Sequence, residues 1–274
     1  MGPIVSGNSY VKTVLQRDSD KFKAGHLNCR SLRPSIHSIK LDEISTILKD
    51  DTFDVFAVSE TWLNENVPLR AVNISGYFFC RNDRPSRGGG VGLFISKKLK
   101  FKSVFRMCAA GQCESLFIEM FFGHIKVLFG VVYLPNGNLQ MFEERHRHLF
   151  CKYSNIVVVG DFNCNLFNIS KSNIMRSLCL RLNLSIVHNS RPTHYDIAYD
   201  STSLLDYFLV SDQSIIKFSD QFHCPSLSDH ALIFACFVFD TIQVHDIVEY
   251  LDYNNIDWNN FFAYLSSFDY DVFF

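Results

Sequence analysis

Eight polar residues punctuate this 274-residue chain: Asn28, Glu60, Tyr133, Asp161, Asn163, Asp206, Asp229 and His230. Apolar runs at 55–58, 127–132, 156–159 and 204–210 each lie beside or carry one of them. An apolar strand followed at once by Asp or Asn pushes a polar group out of the core at the strand end. In α/β folds, strand ends and the loops that leave them are where sites are built. The repetition along the chain argues for a single cleft.

These residue types match the needs of phosphodiester hydrolysis: a metal to neutralise charge, an oriented water, and a group that stabilises the departing alkoxide. Glu60 follows a buried strand in Ala57-Val58-Ser59-Glu60-Thr61-Trp62, where an acid must be paired, metal-bound or solvated. Hard oxygens of this kind suit Mg²⁺ or Mn²⁺ better than zinc; the plainer role is an exposed acid capping a helix at Thr61. Asp161 and Asn163 flank Phe162 after Gly160, which permits a sharp bend and lets both point into one cavity. There a carboxylate can take a proton from water while an amide orients it, or the two form a simple Asx turn.

His230 offers its ring to a phosphoryl oxygen if a carboxylate holds its other nitrogen. Asp206, buried in Leu204-Leu205-Asp206-Tyr207-Phe208, is the expected partner. Asp229 is placed to bind metal through water; the alternative for Ser228-Asp229-His230 is a polar loop before the last strand. Ser228 and His230 are not read as a nucleophile pair, because neighbours two apart rarely reach triad geometry. Tyr133 ends its strand before Leu134-Pro135, so its hydroxyl reaches a phosphate or its ring joins the core. Gly88-Gly89-Gly90-Val91-Gly92 precedes a strand rather than joining strand to helix. It therefore fails as a nucleotide loop and serves a bend or close strand packing.

These side chains need strands to carry them. Short apolar runs predict strands over 22–27, 53–58, 91–96, 156–159, 184–187, 204–210 and 231–239, with a hairpin of 116–122 and 125–133 turning at Gly123-His124. Helical spacing marks 34–50, through Ile36, Ile39, Leu41, Ile44, Ile47 and Leu48, and also 139–151 and 174–182. Adjacent strands without helices between them disfavour a pure Rossmann order. The expected fold is α/β, two mixed β-sheets packed face to face with helices outside. Residues 1–22 read as a flexible leader, 23–239 as the body, and 240–274 as an acidic, aromatic, partly helical connector that ends as if cut before a further domain.

A chain that is 47% hydrophobic with 27 Phe is globular rather than disordered. Its net charge of −2 hides an uneven distribution: residues 240–274 hold seven acids and no Lys or Arg, leaving +5 on the other 239 residues. Residues 81–106 carry eight bases against Asp83 alone, either a phosphate-contacting cluster or a solvated face. The longest apolar stretch, 231–239, is too short to span a bilayer, and the N-terminus lacks an apolar signal core. A soluble intracellular protein without a membrane partner is expected. The nine cysteines form no CxxC pair and several sit in apolar segments, so reduced, mostly buried thiols are expected rather than disulfides or zinc.

Eight short motifs follow one another over roughly residues 23–239: Leu27-Asn28-Cys29-Arg30-Ser31-Leu32, Ser59-Glu60-Thr61-Trp62, Arg87-Gly88-Gly89-Gly90-Val91-Gly92, Val132-Tyr133-Leu134-Pro135, Gly160-Asp161-Phe162-Asn163, Arg191-Pro192-Thr193, Leu205-Asp206-Tyr207 and Ser228-Asp229-His230. Together they resemble the endonuclease/exonuclease/phosphatase superfamily, with its Mg²⁺-dependent AP-endonuclease and DNase I relatives. The chain looks most like the endonuclease domain of LINE-type (non-LTR) retrotransposons. That resemblance implies a DNase I-like four-layer α/β sandwich. It implies Glu60 as principal metal ligand, with Asn28 and Asp229 close to the metal or its waters. Asp161 would activate or position the attacking water with help from Asn163, and Tyr133 would contact the scissile phosphate. His230, oriented by Asp206, would stabilise the pentacovalent transition state.

The resemblance further implies double-stranded DNA as partner, Mg²⁺ or Mn²⁺ as cofactor, and a nick with 3′-hydroxyl and 5′-phosphate ends. That hydroxyl would prime reverse transcription by a reverse transcriptase domain of the same polyprotein, which the connector around Asn255-Ile256-Asp257-Trp258 and Phe261 would precede. Action on chromosomal DNA implies the nucleus, and otherwise the cytoplasm. Arg30 stands where AP-endonuclease relatives carry an acid, which argues against a second metal and against abasic-site repair. Residues 194–203 form a short loop that the resemblance directs at the minor groove. Two other functions suit the same residues: a same-fold phosphatase acting on an inositol phosphate or lipid, and a non-catalytic nucleic-acid-binding module from a domesticated element. The basic segment and the tail weigh against the first, and the intact polar set weighs against the second.

Overall fold

The computed structural model describes residues 7–16, 18–33, 40–109 and 111–241, all within one unit, Met1–Ile242. The expected connector, apart from its first two residues, and the start of the expected helix over 34–50 lie outside the described residues. The main elements in chain order are α1 Gly7–Gln16, β1 Lys21–Asn28, α2 Lys40–Leu48, β2 Val55–Ser59, β3 Tyr77–Asn82, β4 Val91–Ser96, β5 Phe101–Ala109, β6 Cys113–Phe122, β7 Ile125–Tyr133, α3 Leu139–Phe150 and β8 Asn155–Asp161. Then come α4 Ile169–Leu182, β9 Ser185–Val187, β10 His194–Asp196, β11 Ser201–Ser203, β12 Asp206–Val210, β13 Ile216–Phe222 and β14 Leu232–Asp240.

Twelve of these strands build two six-stranded sheets, ordered β13-β14-β1-β2-β4-β3 and β5-β6-β7-β8-β12-β9, while β10 and β11 form a separate hairpin. Each large sheet is mixed, with one central parallel pair, β1–β2 in the first and β7–β8 in the second. The architecture is the expected α/β sandwich, DNase I-like in its two mixed sheets. Between the sheets, Phe22, Ala24, Val55, Ala57, Leu93, Ile118, Phe129, Val157, Val159 and Phe208 form a dry core. Val11, Ile44, Leu48, Phe56 and Phe234 make a second cluster on the outer face of the first sheet, with α1 and α2. Phe142, Leu178, Val158 and Leu209 make a third, on the outer face of the second sheet, with α3 and α4.

Strand alternation decides where the polar ends point. Side chains two apart share a face, so Asn28 follows Phe22 and Ala24 onto the inner face of β1, and Asp161 follows Val157 and Val159 onto the inner face of β8. Tyr133 belongs to the same inner cluster, and Asp206 stands two residues before the inner Phe208. Asn28 pairs in register with Ser59, Tyr133 with Asp161, and Asp161 with Asp206. Four polar side chains therefore meet at one mouth of the inter-sheet core.

The structure differs from the sequence reading in several elements. Residues 7–16 are helical rather than part of a flexible leader, because Val11 and Leu15, four apart, bury one face of α1. Helix α4 starts five residues earlier than expected, where the Asn168 side chain accepts a hydrogen bond from Lys171 N at 3.0 Å. Strands β3, β5 and β13 were not anticipated, nor were β10 and β11, which pair as a hairpin within the expected 194–203 loop. All nine cysteines are free thiols.

Gly160 lies opposite Val132 in the parallel β7–β8 pair, where an added Cβ would meet Val132 O at 1.8 Å. Gly160→Ala is expected to destabilise the fold by about 3 kcal/mol through forced separation of the two strands. Urea unfolding checks this, and a midpoint equal to that of the unsubstituted protein would contradict it.

Candidate active site

The segment 59–62 leaves β2 in a strained turn, with Glu60 at φ 51° and Trp62 at φ 53°. Such conformations persist only when neighbours over-determine them, and here both flanks do. On one side Cys29 N, Ser31 N and Leu32 N donate to Ser59 O, Glu60 O and Thr61 O at 3.0, 2.7 and 2.8 Å. On the other, Thr61 N and Trp62 N donate to Gly90 O and Gly89 O at 3.2 and 2.8 Å. Gly88, Gly89 and Gly90 all have positive φ, and a Cβ on Gly90 would lie 2.4 Å from Thr61 Oγ1. The glycine run thus serves a bend and a close approach, as its position before a strand implied.

The turn delivers Glu60 to the mouth of the core. Asn28 Nδ2 donates to Glu60 Oε1 at 3.0 Å and to Asp161 Oδ2 at 2.9 Å, so one amide bridges the two sheets. Tyr133 donates its hydroxyl to Glu60 Oε1 at 3.0 Å, and Trp62 Nε1 donates to Oε2 at 3.2 Å. Burial and then the Glu60 carboxylate push the Tyr133 phenol up, so it remains a protonated donor. Asp161 is buried, and its Oδ1 accepts from Asn163 N at 3.0 Å, with Asn163 held at φ 47°. Burial, reinforced by the charge on Asp206, pushes the Asp161 carboxyl up to about 7.

Asp206 Oδ2 lies 2.8 Å from His230 Nδ1, as expected from sequence. Burial opposes a charge on this imidazole, but Asp206 outweighs it and raises His230 to about 9. The Thr193 hydroxyl, fully enclosed, accepts from Leu205 N and Asp206 N at 2.9 Å each and so fixes the start of β12. Behind the pair, His26 Nδ1 stands 3.6 Å from Asp206 Oδ1 while its Nε2 meets Ser59 Oγ at 3.1 Å; burial pushes it down to about 4, leaving it neutral. Ser228 acts as a tether rather than a nucleophile: its Oγ donates to Asn28 O at 2.6 Å and accepts from His230 N at 3.1 Å.

Asp229 stands on the outer rim, ion-paired with Arg30 and 3.6 Å from His194 Nε2. Burial alone would raise its carboxyl, yet His194, His230 and Arg30 hold it below the usual carboxylate range. Sequence reading missed His194, whose ring lies 4.6 Å from that of His230, and His26. The latter carried a signal, since it sits two before Asn28 and therefore on the same strand face. In the basic segment 81–106, four of the eight bases, Arg81, Arg84, Lys98 and Lys102, are engaged by Asp83, Glu114, Asp51 and Glu119.

The donor set fits a hard divalent cation. Among the described residues no Lys, Arg or His forms an ion pair with Glu60 or Asp161, so two bridged carboxylates face one mouth without a bonded counter-charge. Glu60 is the approachable one, being half-buried. Asp229 is farther out and already ion-paired, and the Asn28 oxygen accepts from Arg30 N at 3.2 Å. Asp161, Asp206 and His230 also bring ligand atoms within 4.8 Å of one another, but Asp206 and His230 satisfy each other directly. Glu60 is thus the carboxylate most open to such a cation, with Asn28 and Asp161 beside it.

Because the folded-state value of His230 is raised, its stabilisation is complete below about 6.5 and is lost as pH rises through about 9. Asp206→Asn removes the outweighing charge and leaves the burial. An NMR titration of the His230 ring is expected near 9 in the parent protein and below 6.5 in the variant. A midpoint unmoved by the substitution would refute the pairing as the cause.

No curated protein matches the sequence, whereas solved structures match along most of it. The endonuclease domain of TRAS1, a telomere-specific non-LTR retrotransposon, superposes with a TM-score of 0.62 at 10% identity, covering 80% of this chain and 99% of that one. An AP endonuclease from Archaeoglobus fulgidus gives 0.60 at 18% identity over 79% and 99%. The 3′ phosphatase NExo from Neisseria, bound to a product DNA hairpin, gives 0.59 at 18% identity over the same shares. At these identities the likeness is one of fold. The family model described as Endonuclease/Exonuclease/phosphatase family matches residues 25–230, a span that begins in β1 and ends at His230, and the chain belongs to that family.

Proposed function

We propose that the protein is a divalent-metal-dependent endonuclease that nicks double-stranded DNA to leave 3′-hydroxyl and 5′-phosphate ends. The observation that carries this reading is the mouth itself. Glu60 and Asp161 share one Asn28 amide, and across from them Asp206 holds a cationic His230. A Mg²⁺ or Mn²⁺ ion at Glu60 would neutralise phosphate charge and polarise the phosphorus–oxygen bond. Asp161, pushed up to about 7 by burial and then by Asp206, is matched to taking a proton from water near neutral pH. Its Oδ1 accepts from Asn163 N and its Oδ2 from Asn28 Nδ2, which fixes the orientation the carboxylate presents to that water. With Nδ1 committed to Asp206, His230 has Nε2 left to donate toward charge that develops on the phosphoryl oxygens. Tyr133 and Trp62 hold Glu60 in its rotamer until substrate arrives. Asp229, anchored to Arg30, keeps the loop of His230 in place.

A 3′-hydroxyl end suits priming of reverse transcription at the nick by a reverse transcriptase of the same polyprotein, acting on nuclear DNA. The superposition with a retrotransposon endonuclease domain supports this setting. Supercoiled plasmid supplies the test. The parent protein is expected to convert it to open circle with Mg²⁺ and not with EDTA. Asp161→Ala and His230→Ala should each lower the rate by about 100-fold or more while the far-UV spectrum is unchanged. Full activity in either folded variant, or no conversion by folded parent protein on several DNA substrates, would overturn the reading. Phosphate release from an inositol phosphate without DNA cleavage would move the assignment to a phosphatase.

A further inference from the structure

A buried carboxylate outside the reacting set is left over from this account. Glu114 on β6 is fully enclosed, an arrangement that costs several kcal/mol unless the charge is well paired. It bonds Arg84 and accepts from Gly90 N. Its place is specific: Glu114 is the register partner of Tyr133 and shares the inner face with Leu116 and Ile118. The Arg84 guanidinium in turn covers Gly89, where an added Cβ would fall 2.4 Å from Arg84 Nε. Gly89 and Gly90 are the residues whose carbonyls receive Trp62 N and Thr61 N. The second sheet thus reaches Glu60 by two arms: the Tyr133 hydroxyl on its carboxylate, and Glu114 through the glycine loop on its backbone. An apolar pair of similar volume would pack this interface as well, but would not aim two carbonyls at a strained turn.

We propose that Glu114 and Arg84 are a positioning pair for this site, locking the 88–90 loop so that Glu60 is held at its left-handed φ with its carboxylate toward Asn28. This rests on the reading of Glu60 as the metal-binding acid. Neither residue touches the reacting atoms. Their effect runs through the placement of Glu60, so it falls on turnover and metal binding and leaves DNA affinity alone. Trp62 reports on this placement, because its indole donates to Glu60 Oε2 at 3.2 Å and Trp258 is the only other tryptophan.

In a full-length Trp258→Phe background, plasmid nicking and Mn²⁺ titration of Trp62 emission would be measured for the parent protein, Glu60→Gln, Glu114→Gln, Arg84→Lys and Arg84→Gln. Glu114→Gln is expected to lower kcat about 100-fold, with KM for plasmid within about twofold. Its Mn²⁺ midpoint should rise about tenfold. Arg84→Lys should fall between parent and Arg84→Gln. Wild-type kcat and Mn²⁺ midpoint in folded Glu114→Gln and Arg84→Gln would overturn the inference, as would a loss of kcat at an unchanged midpoint. If Glu114→Gln does not fold, the two Arg84 variants decide, since Arg84 lies in a loop. If parent protein and Glu60→Gln are equally inert on DNA while the midpoints still move, the nuclease reading falls and the positioning pair stands.

Discussion

Negative charge held at the edge of a dry interface is the constraint on which the rest of this structure depends. Asp161 and Asp206 are register partners on adjacent strands, and Glu60 reaches toward them from the facing sheet through Asn28. Water cannot screen such a group, so each charge needs a fixed partner or must be suppressed. The fold does both. Asp206 is answered by the cationic His230, while burial and the charge on Asp206 push Asp161 up to about 7. Desolvation thus raises the acid, while Asp206 sustains the cation against it.

Holding these groups in place recruits structure well away from the mouth. The strained turn at Glu60 is clamped on one flank by residues 29–32 and on the other by the glycine loop, which Glu114 and Arg84 tie to the second sheet. Ser228 tethers the His230 loop to β1, and Thr193 fixes the first residue of β12. The Glu114 contacts cross from one sheet to the other, as does the Asn28–Asp161 bond, so the rigidity of the site is tied to the packing of the sandwich. The hydrophobic core that separates the sheets also sets how far apart Glu60 and Asp161 sit.

Particular elements show where reading a sequence succeeds and stops. The central strands β2, β7, β8 and β12 were legible because both faces are buried along an apolar run. Strands β3, β5 and β13 were not, and all three are sheet edges. An edge strand buries little and carries charge, as in Arg81, Lys102, Arg106, Lys217 and Asp220, so its pattern reads as a polar loop. Helix α1 was missed for a related reason: Val11, Val14 and Leu15 stand among polar residues, a weak signal until a sheet is there to receive them. The same limit applied to the basic segment, where the acids that pair with Arg84, Lys98 and Lys102 are Glu114, Asp51 and Glu119.

From the sequence alone came the identity of the polar set and the face each member takes. A period of two along β1, β8 and β12 places Asn28, Asp161 and Asp206 on the side opposite Leu27, Val158 and Leu209, and this follows from backbone geometry without knowledge of the neighbours. The Asp206–His230 pairing was also legible, since a buried acid demands a partner. Only the tertiary structure decided who bonds whom across the sheets: that one Asn28 amide serves two carboxylates, that Asp229 faces Arg30 on the rim, and that His26, His194 and Glu114 belong to the same network. Those contacts depend on the twist and separation of two sheets whose strands lie up to two hundred residues apart, distances that no local periodicity encodes.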